Sequence, residues 1–155
     1  MPFNIMKDIR PKLIELFKGG YCTPQIGRIA RTINEPSSTI HYNIKKLEKE
    51  GAIKTYKAVF EYRKIEEGFC AFVLIALSPS EYGDPERVAA NLARQKEVES
   101  VDIVAGELEL VMKVRAKDQD EYFKVVKNVI SREKGIAKSI SIISLKEIKT
   151  EFIKT

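Results

Sequence analysis

Read as apolar and polar positions, the chain changes period halfway along. Residues 11–18 carry Leu13, Ile14, Leu16 and Phe17 in a helix-sized window, with Pro11 at its start and Gly19-Gly20 as its stop. Thr23-Pro24 then reads as the N-cap and first residue of a second helix. Its buried stripe is Ile26, Ile29, Ala30 and Ile33, at helical spacing. Asn34-Glu35-Pro36 makes a turn. A third helix sets Ile40, Ile44 and Leu47 at i, i+4 and i+7, and Gly51 ends it. Residues 52–59, with Lys54 and Lys57, read as a small β wing.

Residues 61–68 are polar and charged, as in a linker. Beyond them the period shortens. Residues 69–77 form an apolar run suited to a buried strand. Asp84-Pro85 opens a helix to about residue 95, with Val88, Ala89 and Leu92 inward. Residues 98–104 are a second strand, and Gly106 marks a turn calling for positive φ. Leu108, Leu110, Met112 and Val114 alternate with Glu109, Val111, Lys113 and Arg115, the period of a strand. Asp118 and Glu121 have the spacing of a capping box. The helix after them is expected to bury Tyr122, Phe123, Val126, Val129 and Ile130, and residues 137–145 form the last strand.

The order β-α-β-β-α-β is the ferredoxin-like arrangement, with both helices on one sheet face. Outward apolar residues such as Val111 imply that another subunit covers the opposite face. The expected fold class is therefore α+β. An N-terminal winged helix-turn-helix domain, residues 1–62, is joined to a C-terminal ferredoxin-like βαββαβ domain, residues 63–155.

Charge divides along the same line. Residues 1–62 hold 11 Lys and Arg against 6 Asp and Glu, whereas residues 63–155 hold 16 against 16. The whole excess of +5 sits on the helical module, which points to a polyanionic partner. Other chemistry is thin. Cys22 and Cys70 match no metal spacing, and His41 is the only histidine. No metal site, cofactor or nucleophile is expected, and the scattered surface carboxylates form no convergent acid–base pair, so an enzyme is disfavoured. No apolar run approaches the roughly 18 residues of a membrane helix. The N-terminus lacks an apolar signal core. A cytoplasmic protein without membrane contact is the expectation.

The third helix carries the candidate chemistry. In a helix-turn-helix its N-terminal residues meet base edges in the major groove. Here these are Ser37, Ser38, Thr39, His41, Tyr42 and Asn43. Ser and Thr reach bases or phosphates, and Asn can bridge adenine N6 and N7. Lys45, Lys46 and Lys49 lie further along, placed for phosphate. The plain alternative is an amphipathic surface helix. A basic architectural DNA-binding protein shares every one of these arguments, and a small-molecule sensor or assembly protein would use only the second module.

These features together resemble the Lrp/AsnC, or feast/famine, transcription regulators, from Asp8 to about Lys149. The matching runs are Ser38-Thr39-Ile40-His41, Ile44-Lys45-Lys46-Leu47-Glu48 and Glu50-Gly51-Ala52-Ile53 in the first module. In the second, Val104-Ala105-Gly106-Glu107 resembles the family's glycine turn, and Gly135-Ile136-Ala137-Lys138-Ser139-Ile140-Ser141 its G-V-x-x-T-x-T strand entry. The resemblance implies a DNA-binding module on a RAM/ACT-like domain that pairs through its sheet into homodimers, often assembled further into tetramers, octamers or rings. It also implies an amino-acid effector between subunits, making Ala105, Gly106, Glu107, Glu109, Ser139 and Ser141 the effector-site candidates. Four positions depart from the family pattern. Glu109 stands where aspartate is common, Ser139 and Ser141 replace threonines, Tyr21 replaces an arginine, and Asn43 replaces a basic residue.

Overall fold

The computed structural model describes residues 7–151. The chain divides into two compact units, one running up to Val59 and one starting at Phe60.

The first unit contains helices α1 (Arg10–Lys18), α2 (Ile26–Ile33) and α3 (Ser37–Lys49). Asn34 ends α2 in the left-handed conformation, and the chain re-enters a helix three residues later. Asparagine tolerates that conformation better than most side chains. Helix α3 closes with Gly51 at φ 75° and the Ile53 N–H donating to the Leu47 carbonyl at 3.2 Å. The five-to-two bond of a glycine C-terminal cap is also made, the Gly51 N–H donating to the Glu48 carbonyl at 3.1 Å.

Two expectations here are corrected. Thr23-Pro24 does not cap α2. The Pro24 carbonyl accepts the Ile26 N–H locally, so the first helical bond starts at Gln25, whose carbonyl accepts from Ile29. Residues 52–59 form no strand. A strand needs a neighbouring ladder, and this segment is fastened to α3 instead, through the Ile53 bond and the Tyr56 hydroxyl on Glu48.

The second unit is a small α+β domain built on a four-stranded antiparallel sheet. Strands β1 (Phe69–Leu77), β2 (Val98–Ile103), β3 (Leu110–Ala116) and β4 (Ile136–Ile143) lie in the order β2-β3-β1-β4. Helices α4 (Pro85–Ala93) and α5 (Gln119–Asn128) cover one face. Their starts are as read: Asp84 accepts from the Arg87 N–H and Asp118 from the Glu121 N–H. The core is the helix-covered half of the alternation, Ala71, Val73, Ile75, Leu77, Leu110, Met112 and Val114, closed by Val88, Leu92, Tyr122, Val125 and Ile130.

Phe123 is not part of this core and is 64% exposed. The inward stripe of α5 is set by Tyr122 and Val125, with Val126 and Val129 packing beside them. Phe123 falls about 100° around the helix from Tyr122. The run 61–68 is more than a spacer. Tyr62–Ile65 forms a short 3-10 turn, and its Tyr62 ring lies 3.5 Å from the Arg115 guanidinium.

The other sheet face is open. Register puts Phe72 beside Lys113 and Ile142, and Leu74 beside Val111 and Ile140. Phe72, Ile140 and Ile142 are exposed there.

Candidate functional site

Helix α3 turns its apolar side inward at Ile40, the one buried residue of the first unit's helices. Ser37, Ser38, Thr39, His41, Tyr42, Asn43, Lys45, Lys46 and Lys49 are all exposed. With 3.6 residues per turn, Ser38, Tyr42, Lys45 and Lys49 lie opposite Ile40, flanked by Lys46, Thr39 and His41. Tyr42 is 68% exposed, an aromatic ring held toward solvent at the centre of that side. The first turn of α3 has no acidic residue and no side-chain cap. Its leading N–H groups therefore keep their positive character for an outside anion.

Three of the nine residues are engaged within the unit. The Asn43 amide donates to the Thr39 carbonyl at 2.8 Å, which commits one amide hydrogen to its own helix. Lys45 donates to Glu48 at 2.7 Å, and Glu48 also accepts the Tyr56 hydroxyl at 3.0 Å. The Lys45 and Tyr56 bonds hold the Glu48 carboxyl below its ordinary range, and the Glu48 bond in turn raises Lys45. Lys46 lies 3.9 Å from Glu50, a loose surface pair.

The effector candidates sit at one end of the sheet in the second unit. Ala105, Gly106 and Glu107 occupy the exposed turn between β2 and β3, with Gly106 at φ 152°. The turn is closed by the Val104 N–H donating to the Glu109 carbonyl at 2.8 Å. The Glu109 carboxylate reaches across to accept the Leu77 N–H at 2.8 Å. Ser139 pairs with Ile75, as Leu110 does from the other side, so β1 separates the glycine turn from the two serines. That is a gap of roughly 10 Å, two strand spacings. Ser139 and Ser141 share the helix-covered face but stay exposed on the edge strand. Ser141 is hydrogen-bonded to the Tyr122 hydroxyl. Burial raises the Tyr122 phenol, and the Ser141 bond partly opposes that.

A charge cluster at the start of β1 and end of β3 escaped the sequence reading. Arg115, 7% exposed, donates twice to Glu147, at 2.8 and 3.1 Å, and once to Glu99 at 2.8 Å. Lys113 donates to the same two carboxylates. Burial works against the Arg115 charge, but the Glu147 and Glu99 bonds outweigh it and raise the guanidinium further. The Arg115 bond, against an opposing cost of burial and with help from Lys113, holds Glu147 at about 2. Nearby lies a cavity of about 370 Å³ lined by Tyr62, Arg63, Cys70, Leu145 and Glu147 among others. The signal was in the alternation. Lys113 and Arg115 alternate with the core positions of β3 and so share its other face with Val111, which puts two cations beside an apolar residue there.

Cys70 is buried and Cys22 half-buried. Burial pushes the Cys70 thiol up, with Arg115 opposing. Among the described residues no cluster of His, Cys, Asp and Glu could hold a metal ion, and no helix is long and apolar enough to cross a membrane.

This sheet, its two helices and its glycine turn define a known class of domain. A family model described as the Lrp/AsnC ligand binding domain matches residues 70–153, and the chain belongs to the Lrp/AsnC family. An uncharacterized HTH-type transcriptional regulator of Pyrococcus horikoshii is 30% identical over 96% of this chain and 98% of its own length. Another, of Pyrococcus furiosus, is 34% identical over 81% of this chain and 84% of its own. Among solved structures, the transcriptional regulator NMB0573 of Neisseria meningitidis, in complex with L-Met, is alike in fold. Its TM-score is 0.70, with 22% identity over 88% of this chain and 86% of that one. A feast or famine regulatory protein of M. tuberculosis complexed with L-methionine has a TM-score of 0.71 and 25% identity, covering 94% and 95% of the two chains.

Proposed function

We propose that this chain is a DNA-binding transcription regulator whose first unit is a helix-turn-helix with α3 as its reading helix. The observation that carries this is the outward side of α3. It combines Ser38, Thr39, His41, Tyr42, Lys45, Lys46 and Lys49 with a helix start bare of acidic residues, on the unit that holds the chain's whole positive excess. Relatives named as HTH-type regulators over nearly the full length support the same reading. Lysines would supply affinity by counterion release, and Ser38, Thr39, His41 and Tyr42 the base preference. Asn43 contributes less than its residue type promises, because Thr39 already holds one amide hydrogen. The basic segment after α3, tied back by Tyr56, extends the phosphate-facing surface through Lys54 and Lys57.

The working species is a homodimer paired through the open face of the sheet. Phe72, Ile140 and Ile142 are exposed there beside Leu74 and Val111, and an apolar sheet face of that kind is a docking surface. Two copies of α3 would then read half-sites one or more helical turns apart on a palindromic operator. Dimers of this kind can assemble further, into tetramers or octamers. An amino acid at the turn 105–107, with Ser139 and Ser141 supplied across a subunit boundary, shifts the balance between assembly states. Two structurally similar regulators are solved with L-methionine, which supports an amino-acid effector.

The test is selection of bound sequences from random duplex DNA by the full chain, with and without each amino acid. A palindromic consensus lost in a Thr39→Ala/Tyr42→Ala variant supports the reading. Binding with no consensus makes the chain an architectural DNA-coating protein instead. No binding at moderate salt leaves a sensor or assembly protein. Calorimetric silence toward all twenty amino acids removes the effector part.

A further inference from the structure

Helix α3 carries a carboxylate where a helix least wants one. Glu48 lies in its last turn, where the macrodipole favours cations and opposes anions. Its partner Lys45 precedes it in the chain, the less favourable order for an ion pair along a helix. Helix stability is therefore not what this carboxylate supplies.

The carboxylate is nonetheless held from two sides. Its Oε2 accepts from Lys45 Nζ at 2.7 Å, and its Oε1 accepts from the Tyr56 hydroxyl at 3.0 Å. Tyr56 is half-buried, and its segment is bonded to the end of α3 through the Ile53 N–H. Glu48 keeps only 28% of its side-chain surface exposed. The neighbouring pair Lys46 and Glu50, with no such support, stands 3.9 Å apart. Both bonds also keep the Glu48 carboxyl ionised at neutral pH.

Lys45 belongs to the outward side of α3, opposite Ile40 and one turn from Tyr42. Held on Glu48, it offers a phosphate a neutral pair in place of a cation. Sequence-independent binding draws essentially all its strength from cations on phosphate. Specificity is the difference between the affinities for right and wrong sequences. On an unselected duplex α3 settles wherever its lysines find phosphate, whereas on an operator the base contacts fix its seat. A freed Lys45 therefore adds more to the first than to the second.

We infer that Glu48 is a specificity-determining residue of α3. It withholds Lys45 from phosphate and so holds down binding to the wrong sequences, while Tyr56 keeps Glu48 in place. This rests on the assignment of α3 as the reading helix. Glu48 and Tyr56 are positioning residues that act through Lys45.

Fluorescence anisotropy across a salt series tests it, with the full chain on a selected operator and on an unselected duplex of equal length. Glu48→Gln keeps an oxygen for Tyr56 and removes the charge. It should tighten binding to the unselected duplex by roughly fivefold near 0.1 M salt and steepen the salt slope by about 1 per chain. The operator should gain less, so the ratio of the two affinities falls. Tyr56→Phe should act in the same direction, by a smaller amount. Lys45→Gln should flatten the slope by about 1 in the Glu48→Gln background, and by markedly less where Glu48 is intact. An equal loss of slope in both backgrounds would show that Lys45 reaches phosphate despite Glu48, and overturns the inference. So does a Glu48→Gln variant with a lowered thermal midpoint and weaker binding to both duplexes, the mark of a purely structural role. A wild type that binds no duplex at moderate salt overturns the assignment of α3 beneath it.

Discussion

Glu147→Gln is the sharpest probe of stability, because it keeps the shape of the side chain and removes only the charge. In the fold, Arg115 and Lys113 hold the Glu147 carboxyl at about 2, against an ordinary 4.5. A pKa unit corresponds to ~1.4 kcal/mol, so the full shift would be worth roughly 3 kcal/mol at neutral pH. The side chain keeps 26% of its surface exposed, and solvent screening brings the expectation down to about 2 kcal/mol. The sign follows from the direction of the shift. A depressed carboxyl stabilises the fold at pH values above its unfolded pKa, and that stabilisation is lost as the pH falls toward the folded value. The window is therefore from about pH 4.5 down to about pH 2. Urea unfolding of wild type and Glu147→Gln at one protein concentration should show a gap of about 2 kcal/mol at pH 7 that has mostly closed by about pH 2.5. Carboxylates outside the cluster titrate alike in both proteins and cancel in the difference, whereas Glu99 shares Arg115 and Lys113 with Glu147 and is part of what the gap reports. A gap that stays constant across that range would show that the charge on Glu147 is not what the network stabilises.

Other substitutions test separate parts of the argument. Gly135→Ala would bring a Cβ to 2.5 Å from Val88 Cγ2 and 3.2 Å from Glu81 Cγ. Val88 is fully buried and stiff at χ1, so overpacking should cost about 1–3 kcal/mol in urea unfolding. Asp118→Ala removes the acceptor for the Glu121 N–H and should cost about 1 kcal/mol, read as a lower thermal midpoint. Lys46→Ala should weaken binding to selected and unselected duplexes alike and reduce the salt slope by about 1, measured by fluorescence anisotropy. Gly106→Ala, at φ 152° with open space around it, should cost of order 1 kcal/mol through backbone strain alone. A larger loss would mean the turn is packed by something outside the chain.

The sheet unit was legible because its core residues recur every second position. Met112 and Val114 are on the inside for the same reason that Lys113 and Arg115 are not. The two aspartate caps were legible because their bonds are made three residues away. The outward side of α3 followed from Ile40 and Ile44 by helical phase. What could not be read depends on partners distant in sequence. Arg115 meets Glu147 32 residues later, and no local pattern pairs those two among so many charges. Residues 52–59 had a strand's composition, but a strand exists only where another backbone lies beside it. The start of α2 moved because one carbonyl, that of Pro24, was used locally. The glycine turn and the two serines were named together as effector candidates by resemblance alone. No periodicity could show that a whole strand stands between them.

Glu109 gives the family departure at that turn a mechanical meaning. The β1–β3 ladder ends at the pair Ile75–Leu110, so the Leu77 N–H lies past the last carbonyl β3 could offer. The Glu109 side chain supplies the missing acceptor and continues the ladder by one rung beyond the backbone. Aspartate, one methylene shorter, could make that rung only by drawing the turn inward. The longer side chain thus sets how far the loop 105–108 stands off from β1, and with it the depth of any pocket the loop walls. A molecule that claimed this carboxylate would also release a backbone donor next to the point where the β1–β4 register slips, between Ala76 and Leu77. Occupancy at the turn would then be felt on the opposite edge of the sheet.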